Sequence, residues 1–417
     1  MITDNKLPKD WKWVKLGQVC KLKNGFAFKS TDYKKDGIPV IRISDIKSGS
    51  VKPDKSVRVI SKKEYEEYVV LENEILVAMS GATTGKFGIY KSKDKAYQNQ
   101  RVGKFQILNG ENLDNEFLLY QLHALKRQIE KDAYGGAQPN ISSGKIEAME
   151  ILLPPKPTQL AIVSKIEELF SELDKGIEQL KTAQQQLKTY RQSVLKWAFE
   201  GKLTNEHVNE GELPEGWKWK VSGDFFDFVT SGSRGWAKYY SDKGAIFIRI
   251  TNLDFDTLEL DLEEKKIQYV NPPSTSEGIR TKVQEGDFLF SITGYLGMLA
   301  IAPKLDKAFV NQHVCLCRPK NDFNKKYLGY WIISKSGGHH YLNKNQKGAV
   351  KAGLNLDDLK TFPVPLCALE EQNKIVREIE SRLSVADKME ESITQSLLQA
   401  EALRQSILKK AFEGRLA

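Results

Sequence analysis

One fourteen-residue segment occurs twice in this chain: YRQSVLKWAFEGKL spans residues 190–203 and LRQSILKKAFEGRL spans residues 403–416. The two copies lie at a constant offset of 213 residues and are identical at ten of their fourteen positions. Neither chance nor a shared helical composition produces identity of this kind. The chain therefore contains an internal duplication.

Each copy closes a long tract in which apolar residues recur every three or four positions, the spacing of a coiled-coil seam. The seam residues are Ile162, Ile166, Leu169, Leu173, Ile177, Leu180, Ala183, Leu187, Tyr190, Val194 and Trp197 in the first tract, and Ile375, Ile379, Leu383, Ala386, Met389, Ile393, Leu397, Ala400, Leu403 and Ile407 in the second. Gly201 and Gly414 stand where a helix takes its C-terminal cap, because glycine adopts the left-handed conformation without strain. The pattern predicts two helices of about 40 residues, each about 60 Å long.

The duplication extends beyond the helices into the residues that precede them. The matched segments are 7–19 with 213–225, 37–46 with 244–253, 72–81 with 285–294, and 96–102 with 308–314. The last pair reads AYQNQRV and AFVNQHV. The chain is therefore two copies of one module, a globular domain followed by a long helix.

Short runs of β-branched or aromatic residues, bounded by Gly, Asn, Asp or Lys, predict strands in the globular part. In the first copy they lie at residues 39–43, 75–79, 88–90 and 105–108. Residues 116–131 and 325–334 have the pattern of amphipathic helices. A proline-marked stretch before each long helix indicates an extended strand that stops before the helix begins. The predicted fold class is α+β, with two tandem mixed α/β domains.

These patterns divide the chain into five consecutive segments. They are a globular domain at residues 1–156, a long helix at 157–201, a polar linker at 202–212, a second globular domain at 213–368 and a second long helix at 369–417. Two matching modules joined head to tail can close into a two-fold-like body only if equivalent surfaces meet. We therefore expect a pseudo-two-fold repeat in which the helices pair antiparallel, with the globular domains at opposite ends.

The composition is that of a globular, basic protein. The chain has 417 residues, of which 40% are hydrophobic and 28% charged, and its formal net charge is +9. This length predicts two to four domains, and the charge favours an anionic partner, with nucleic acid preferred. The first residues lack the apolar core of a signal peptide, and the sequence contains no run of about 18 apolar residues, so we expect a cytoplasmic protein.

The four cysteines are Cys20, Cys315, Cys317 and Cys367. Cys315 and Cys317 alternate along a predicted strand, and the sequence contains no C-x-x-C pair. This pattern favours reduced thiols on a buried face over zinc ligands or disulfides.

Two motifs resemble catalytic sequences without completing them. Residues 271–274, NPPS, are similar to the Asn-Pro-Pro-aromatic signature of adenine methyltransferases, but the fourth residue is serine and the sequence has no glycine-rich turn for a methyl donor. Residues 81–86, GATTGK, are one residue short of a phosphate-binding loop, and Phe87 stands where Ser or Thr would bind magnesium. The five histidines form no H-E-x-x-H pattern. We therefore predict no catalytic residue and no metal site.

Lysine, asparagine, glutamine and aromatic residues collect in corresponding loops of the two copies. Amide side chains can pair with adenine edges and Arg or Lys with guanine, while glycines let the backbone approach phosphates. The candidate DNA-binding residues are Asn24, Phe28, Lys29, Ser30, Arg42, Thr83, Thr84, Lys86, Tyr134, Gln138 and Asn140 in the first copy, and Ser233, Arg234, Trp236, Arg249, Thr293, Tyr295, Lys344, Asn345, Gln346, Lys347 and Lys351 in the second. An ordinary polar surface loop explains any single residue, whereas the loops as sets favour DNA contact. Arg42 and Arg249 lie in I-R-I strands, where DNA contact and a packed ion pair remain equal alternatives.

The long helices carry candidate partner-binding residues. Many positions off the seam are Gln, Lys or Ser, and the matched ends retain Arg191 and Phe199 in the first copy and Arg404 and Phe412 in the second. The two phenylalanines can anchor a helix of a partner protein, or they can pack beneath the glycine caps of their own helices. Both interpretations remain open.

Together these features resemble the DNA specificity subunits of type I restriction-modification systems, over essentially the whole chain. The resemblance rests on the W-K-W start of each module, the repeated E/D-I/F-L strand, the N-Q-x-V segment, Gln159 and Gln372 after the proline runs, and the terminal L-K-x-A-F-E-G-K/R-L. The terminal motif is the most specific of these features.

The resemblance implies two target recognition domains that each read half of a split DNA site, joined by two antiparallel helices as a spacer. It implies that this chain has no catalytic centre and no cofactor. The implied partners are double-stranded DNA, two methyltransferase subunits that transfer a methyl group from S-adenosylmethionine to adenine, and restriction subunits that translocate and cut DNA. A fused enzyme would need a methyl-donor motif, and a coiled-coil scaffold outside restriction-modification would not need two basic, loop-rich domains.

Overall fold

The structure is a computed structural model that describes residues 10–47, 49–133, 139–205, 207–209, 211–274, 276–344 and 353–416. The fold divides into two units. Unit 1 consists of Met1–Leu180 and Gln395–Ala417, and unit 2 consists of Lys181–Thr394. Each unit therefore contains one globular domain, the beginning of one long helix and the end of the other.

Unit 1 combines short strands with helices. Its strands are β1 Lys12–Lys15, β2 Cys20–Asn24, β3 Ile38–Ile41, β4 Ile46–Lys47, β5 Gly49–Val51, β6 Arg58–Val59, β7 Val69–Val70, β8 Ile75–Ala78, β9 Phe87–Tyr90, β10 Ala96–Gln98, β11 Val102–Ile107 and β12 Glu150–Leu153. Its helices are α1 Asn115–Ala133, α2 Ser143–Glu147 and the first part of α3 Lys156–Phe199. The strands and the helix predicted for this part of the chain are confirmed, with ends that differ by a few residues.

The described strands of unit 1 form two sheets and a ribbon. The larger sheet has the order β2-β11-β8-β9-β5-β4 and the smaller β6-β3-β10-β7. The ribbon pairs β1 antiparallel with β12, so the predicted strand ahead of α3 is tied to the start of the domain. A single core cluster joins the larger sheet to α1 and to the first turns of α3.

Unit 2 has a closely similar set of elements. Its strands are β13 Lys218–Val221, β14 Phe226–Ser231, β15 Tyr240–Ser241, β16 Ala245–Ile248, β17 Tyr269–Val270, β18 Phe288–Ser291, β19 Leu299–Ile301, β20 Ala308–Val310, β21 Val314–Pro319 and β22 Pro363–Leu366. Its helices are the last part of α3, α4 Ser276–Arg280, α5 Lys325–Ile333, α6 Gly338–Lys344 and the first part of α7 Leu369–Phe412. The helix predicted at residues 325–334 is confirmed.

The sheet orders show that the duplication is a duplication of fold. The sheet β14-β21-β18-β19 repeats β2-β11-β8-β9, the run β17-β16-β20 repeats β6-β3-β10, and β13 pairs with β22 as β1 pairs with β12. In both units the equivalent strand pair of the second sheet, β3 with β10 and β16 with β20, is parallel. Equivalent residues of the two copies can therefore be compared position by position.

The two long helices have the predicted length and the predicted ends. Both α3 and α7 contain 44 residues. Gly201 follows α3 with φ of 77° and Gly414 follows α7 with φ of 69°, which is the left-handed conformation expected of a glycine cap. Three predicted seam residues differ from expectation, because Trp197 is 39%, Met389 is 52% and Leu403 is 50% exposed.

In unit 1 the start of α3 packs antiparallel against the end of α7. Ile166 of α3 and Ala411 of α7 are fully buried in the same core cluster. Farther along α3, Asp174 forms an ion pair with Arg404, whose guanidinium also lies 4.5 Å from the Phe170 ring centroid. Residues later in α3 therefore contact residues earlier in α7, as in an antiparallel pair.

Unit 2 shows the same antiparallel arrangement at the other ends of the helices. Thr204, just after α3, hydrogen-bonds to Glu371 in the first turn of α7, with 3.1 Å between oxygens. Earlier in the sequence, on α3, Arg191 forms ion pairs with two residues farther along α7, Asp387 at 2.7 Å and Glu390 at 3.0 Å. This polar contact beside position 389 explains why the apolar seam predicted there is incomplete. The predicted antiparallel pairing is confirmed.

A buried glutamine fixes the start of each long helix to its globular domain. Gln159 is fully buried, and its Oε1 accepts a hydrogen bond from Asp114 N at 2.8 Å. Its Nε2 donates to Asn112 O at 2.8 Å and to Pro154 O at 2.9 Å. Gln372 repeats this role in unit 2, where its Oε1 accepts from the backbone N–H that begins α5 and its Nε2 donates to a carbonyl before α7.

Replacing this amide should destabilise the domain strongly. Gln159→Leu leaves a buried N–H and two buried carbonyls without their partner, so we expect the free energy of unfolding to fall by about 3 kcal/mol or more. Thermal and urea unfolding followed by circular dichroism measures the loss. Gln186→Leu is the matched control, because Gln186 is exposed on α3. Equal stability of the two variants would show that the amide does not fasten the helix.

All four cysteines are free thiols and are buried, as the sequence predicts. Burial raises the pKa of Cys20 and of Cys367 to about 12, so both thiols stay protonated. Cys315 and Cys317 lie two residues apart on β21 with their sulfur atoms 3.7 Å apart. Within the described residues, none of the helices has the length and apolarity that a membrane crossing requires.

Candidate nucleic-acid interface

The strand ends of unit 1 surround a polar cleft of about 490 Å³. Its lining residues are Asn24, Met79, Ser80, Gln100, Arg101, Pro139, Asn140, Ile141, Ser142 and Ser143. Two of them, Asn24 and Asn140, are among the predicted DNA-binding residues. Gln100 and Arg101 are exposed side chains that the sequence-based prediction did not include.

Backbone hydrogen bonds bring these residues together from distant parts of the chain. Asn24 ends β2 and faces Gly103 of β11, so it lies beside the turn that carries Arg101. Met79, which follows β8, donates to Arg101 O at 3.0 Å and accepts from Ile141 N at 3.0 Å. The cleft is therefore built on sheet ends rather than on isolated loops.

The chemistry of this cleft suits recognition of base edges. It presents two asparagine amides, one glutamine amide and one guanidinium, which are the groups that pair with adenine and guanine in the major groove. Ser80 Oγ is buried and has no hydrogen-bond partner among the described residues. A ligand with both donors and acceptors would therefore find complementary groups here.

Unit 2 has an equivalent region with different side chains. The backbone bridge of Ser80 to Asn140 in unit 1 is repeated by Thr293 to Gly353 in unit 2. Thr293 Oγ1 lies 2.7 Å from Nδ1 of His313, and Gln312 Nε2 lies 3.0 Å from the other ring nitrogen of His313. Thr293 is therefore the predicted residue that the structure places at this second site.

The predicted DNA-binding residues fall into four groups. The exposed ones are Asn24, Lys29, Ser30, Lys86, Asn140, Ser233, Arg234, Tyr295 and Lys344, and the half-buried ones are Arg42, Thr83, Arg249 and Thr293. The buried ones are Phe28, Thr84 and Trp236. Tyr134, Gln138, Asn345, Gln346, Lys347 and Lys351 lie outside the described residues. The exposed and half-buried groups remain available for DNA contact.

The two buried aromatic residues of the predicted set, Phe28 and Trp236, pack in the interior of their units. Phe28 is 6% exposed and packs edge-on against Tyr65, with ring centroids 4.8 Å apart. Trp236 is 3% exposed, stacks on Phe247 at 4.8 Å and donates its indole N–H to Glu277 at 3.1 Å. Both side chains are therefore packed inside their units in this conformation.

Thr84 is also buried, because its hydroxyl closes a turn. Thr84 Oγ1 donates to Gly81 O at 2.6 Å and lies 3.2 Å from Pro139 O. The turn leaves Lys86 exposed and Thr83 half-buried. The hydroxyl of Thr84 therefore stabilises the turn formed by the GATTGK segment.

Arg42 and Arg249 occupy equivalent positions and make similar contacts within the chain. The backbone N–H of Arg42 donates to Asp45 Oδ2 and that of Arg249 donates to Asn252 Oδ1, both at 2.9 Å. Arg249 Nη2 also donates to the carbonyl of Lys266 at 3.0 Å. Arg42 Nε lies 3.9 Å from Asp45 Oδ2, but Nε of each arginine is buried with no hydrogen-bond partner among the described residues. Both alternatives therefore stay open for these arginines.

The four candidate partner-binding residues of the helices are engaged within their own units. Arg191 and Arg404 form the interhelical ion pairs described above. Phe199 is 5% exposed and lies edge-on to Trp331, with ring centroids 5.1 Å apart, while Phe412 meets Phe117 at 5.4 Å. Each phenylalanine thus packs against a helix of the globular domain in its unit, Phe199 against α5 and Phe412 against α1. Their role in binding a partner stays a prediction.

No described group of three or more His, Cys, Asp or Glu side chains is arranged to hold a metal ion. Burial lowers the pKa of His123 to about 4, so this imidazole is neutral near pH 7.

Curated relatives match almost the whole chain. The specificity subunit of the type I restriction enzyme EcoBI from Escherichia coli is 28% identical over 422 residues, covering 97% of this chain and 86% of the relative. The EcoKI specificity subunit from Escherichia coli strain K12 is 26% identical, covering 99% of this chain and 90% of the relative.

Solved structures share the fold at lower identity. A chain from a structure of a type I restriction-modification system aligns with a TM-score of 0.73 at 20% identity, covering 98% of this chain and 99% of the other. The HsdS subunit from Thermoanaerobacter tengcongensis aligns with a TM-score of 0.58 at 20% identity, covering 98% of each chain. These likenesses support the two-domain architecture with long helices.

The sequence model of one protein family, the type I restriction modification DNA specificity domain, matches this chain twice. The matches span residues 8–182 and 214–399 and so include both globular domains and most of both long helices. Because the two matches together cover most of the sequence, the chain belongs to the type I restriction-modification DNA specificity family and carries the family's domain in two copies.

Proposed function

We propose that this chain is the DNA specificity subunit of a type I restriction-modification complex and reads a split, asymmetric DNA site with one half per globular domain. The observation that carries the proposal is the repetition of one specificity domain in which equivalent strand ends present different polar side chains. Unit 1 places an arginine and three amides around its cleft, and unit 2 places a threonine, a histidine and a glutamine at the equivalent turn. Two halves of different sequence are the expected result.

The exposed residues of the two copies are the proposed DNA contacts. Amides and the guanidinium at the strand ends suit base edges, whereas loop lysines such as Lys29, Lys86 and Lys344 suit phosphates. The net charge of +9 supports an anionic partner. Residues 1–156 and 213–368 are the proposed target recognition domains.

We further propose that the chain has no catalytic role and recruits partner subunits. Two equivalent modules suit two methyltransferase subunits, which would bind S-adenosylmethionine and methylate one adenine on each DNA strand. Restriction subunits would complete the complex. The long helices would act as the spacer that sets the gap between half-sites, whose centres we expect about one turn of DNA, roughly 10 base pairs, apart.

Methylation mapping in the host tests this function. We expect methylated adenines in a motif of two unlike halves separated by an unspecified gap, and we expect this methylation to vanish when the gene for this chain is deleted. A gel-shift assay should show the purified chain, together with its methyltransferase partner, binding that motif. Unchanged methylation in the deletion strain, with no DNA binding by the complex, would favour a coiled-coil scaffold outside restriction-modification instead.

A further inference from the structure

The Asn-Gln pair of the repeated N-Q-x-V segment adopts the same turn in both units. Asn99 and Asn311 are each 7% exposed. The side-chain Oδ1 of each accepts a hydrogen bond from the backbone N–H two residues later, at 3.4 Å from Arg101 and 2.9 Å from His313. The carbonyls of Arg101 and His313 both accept at 3.0 Å from the residue that follows the adjacent strand, β8 or β18. The residue after the pair is thus fixed at the same place in each unit.

A glycine of the preceding strand end is also shared. A Cβ atom on Gly25 would lie 2.2 Å from the carbonyl oxygen of Gln98, and one on Gly232 would lie 2.4 Å from that of Val310. Since no side chain tolerates such an approach to a carbonyl oxygen, both positions require glycine. The two units therefore share one backbone frame here, and a difference in the DNA sequence that they read must come from side chains.

The side chains around this shared frame do differ. From unit 1 to unit 2, Asn24 becomes Ser231, Ser80 becomes Thr293, Arg101 becomes His313 and Asn140 becomes Gly353, while Gln100 and Gln312 are the same. Among these changes, only Arg101 to His313 exchanges a guanidinium for an imidazole. Both groups can carry a positive charge, but they form hydrogen bonds in different geometries. The change from Asn140 to Gly353 removes an amide, whereas Arg101 and His313 both keep a hydrogen-bonding side chain that can influence base choice in its own unit.

Arg101 is suited to guanine. Its side chain is exposed and lines the cleft with Asn24 and Asn140. The two parallel N–H groups of a guanidinium match the O6 and N7 acceptors of guanine, a two-point contact that an imidazole cannot make. The flanking amides suit an adjacent adenine.

His313 is suited to hold its neighbour instead. Its ring lies between Thr293 Oγ1 at 2.7 Å and Gln312 Nε2 at 3.0 Å. A glutamine amide oriented in this way retains its oxygen and a second N–H, which can pair with N6 and N7 of adenine. In unit 2 the histidine therefore acts through Gln312 as a positioning residue.

We propose that the residue after the Asn-Gln pair sets the base preference of each domain, with Arg101 contacting a guanine in one half-site and His313 positioning Gln312 for an adenine in the other. This inference rests on the proposed function, because it assumes that the strand ends face DNA. It adds which residue of each copy makes the two half-sites differ.

The test uses the full chain assembled with its partner subunits. Bound sequences are selected from a random DNA pool, and Kd is then measured for every single-base variant of the selected site. In Arg101→His, we expect the preference for guanine at one position of one half-site to fall about tenfold to a hundredfold, with the other half unchanged. The reciprocal variant His313→Arg should alter base preference only in the other half.

Arg127→His is the matched control, because Arg127 is an exposed arginine of α1 that does not line the cleft. Uniformly weaker binding of all sequences with a shallower salt dependence would mean that Arg101 contacts phosphate, and this would overturn the inference. An unchanged base preference would overturn it as well while leaving the proposed function intact. A wild-type complex that selects no split site would refute the proposed function and this inference together.

Arg101→Gln decides the case in which Arg101→His binds no DNA. Glutamine is a long polar side chain whose amide pairs with adenine and does not present two donors to guanine O6 and N7. Loss of the guanine preference in Arg101→Gln supports the inference, and a retained guanine preference overturns it.

Discussion

A chain whose first globular domain is replaced by that of another family member should change one half of its DNA site completely and keep the other half. Each unit packs its own core around its own domain, so the base-contacting groups of unit 2 stay in place when unit 1 is exchanged. Specific sites are bound about a thousandfold or more tightly than others. We therefore expect loss of binding to the original site at that level. Selection from a random DNA pool measures both halves at once.

The structure sets the boundaries of this exchange. A cut at residue 150 would split β12, whose residues Glu150–Leu153 pair with β1. The exchanged segment should therefore run from residue 7 to residue 155 and stop just before α3. The incoming domain will pack against the helix surface of unit 1, which is similar to the helix surface that the globular domain of unit 2 packs against. That surface consists of Gln159, Ile162, Val163, Ile166, Ile407, Leu408 and Ala411 in unit 1 and of Gln372, Ile375, Val376, Ile379, Val194, Leu195 and Ala198 in unit 2.

The same chain offers a matched control. Replacing residues 7–155 with a second copy of residues 213–368 gives a protein with two identical recognition domains on equivalent helix surfaces. Its selected site should contain the unit 2 half-site twice, in inverted orientation. Exchange variants that altered both half-sites, or neither, would show that the domains do not read DNA independently.

The sequence predicted the long helices well because their signals are local and repeated. The apolar seam and the glycine caps both act within a few residues, and both helices have 44 residues as a result. Met389 was predicted as a seam residue and is 52% exposed. The reason is long-range, because Arg191 reaches Asp387 and Glu390 from the other helix at this level. Spacing along one helix cannot reveal such a contact.

The recognition surface was only partly predictable, for a physical reason. Loop residues follow no periodicity, so composition could not separate the buried Phe28 and Trp236 from exposed neighbours such as Lys29 and Arg234. Gln100 and Arg101 were not predicted because the N-Q-x-V segment served only as evidence of the duplication and of the family resemblance. Their signal was present in the comparison of the two copies, where the fixed Asn-Gln pair is followed by residues of different chemistry.

Lengthening both long helices should lengthen the gap between the half-sites without changing either half. Four residues, about one helical turn, are inserted after Gln185 in α3 and after Leu398 in α7. The first insertion site lies between Asp174 and Arg191 of α3, and the second lies between Asp387 and Arg404 of α7. Because these residues form the two interhelical ion pairs, equal insertions between them keep both pairs. One turn adds about 5–6 Å, and DNA rises about 3.4 Å per base pair. The selected gap should therefore grow by about one or two base pairs.

The control for this insertion is a variant in which the inserted residues rotate the apolar face of each helix by a different angle. Four residues rotate the following segment by about 40°, which the seam can absorb, whereas two residues at the same sites rotate it by about 200° and turn the apolar face away from its partner. We expect the two-residue variant to lose thermal stability and the four-residue variant to keep most of it. A stable four-residue variant that still selects the original gap would contradict the role of the helices as the spacer, because their length would then have no effect on the distance between the bases that are read.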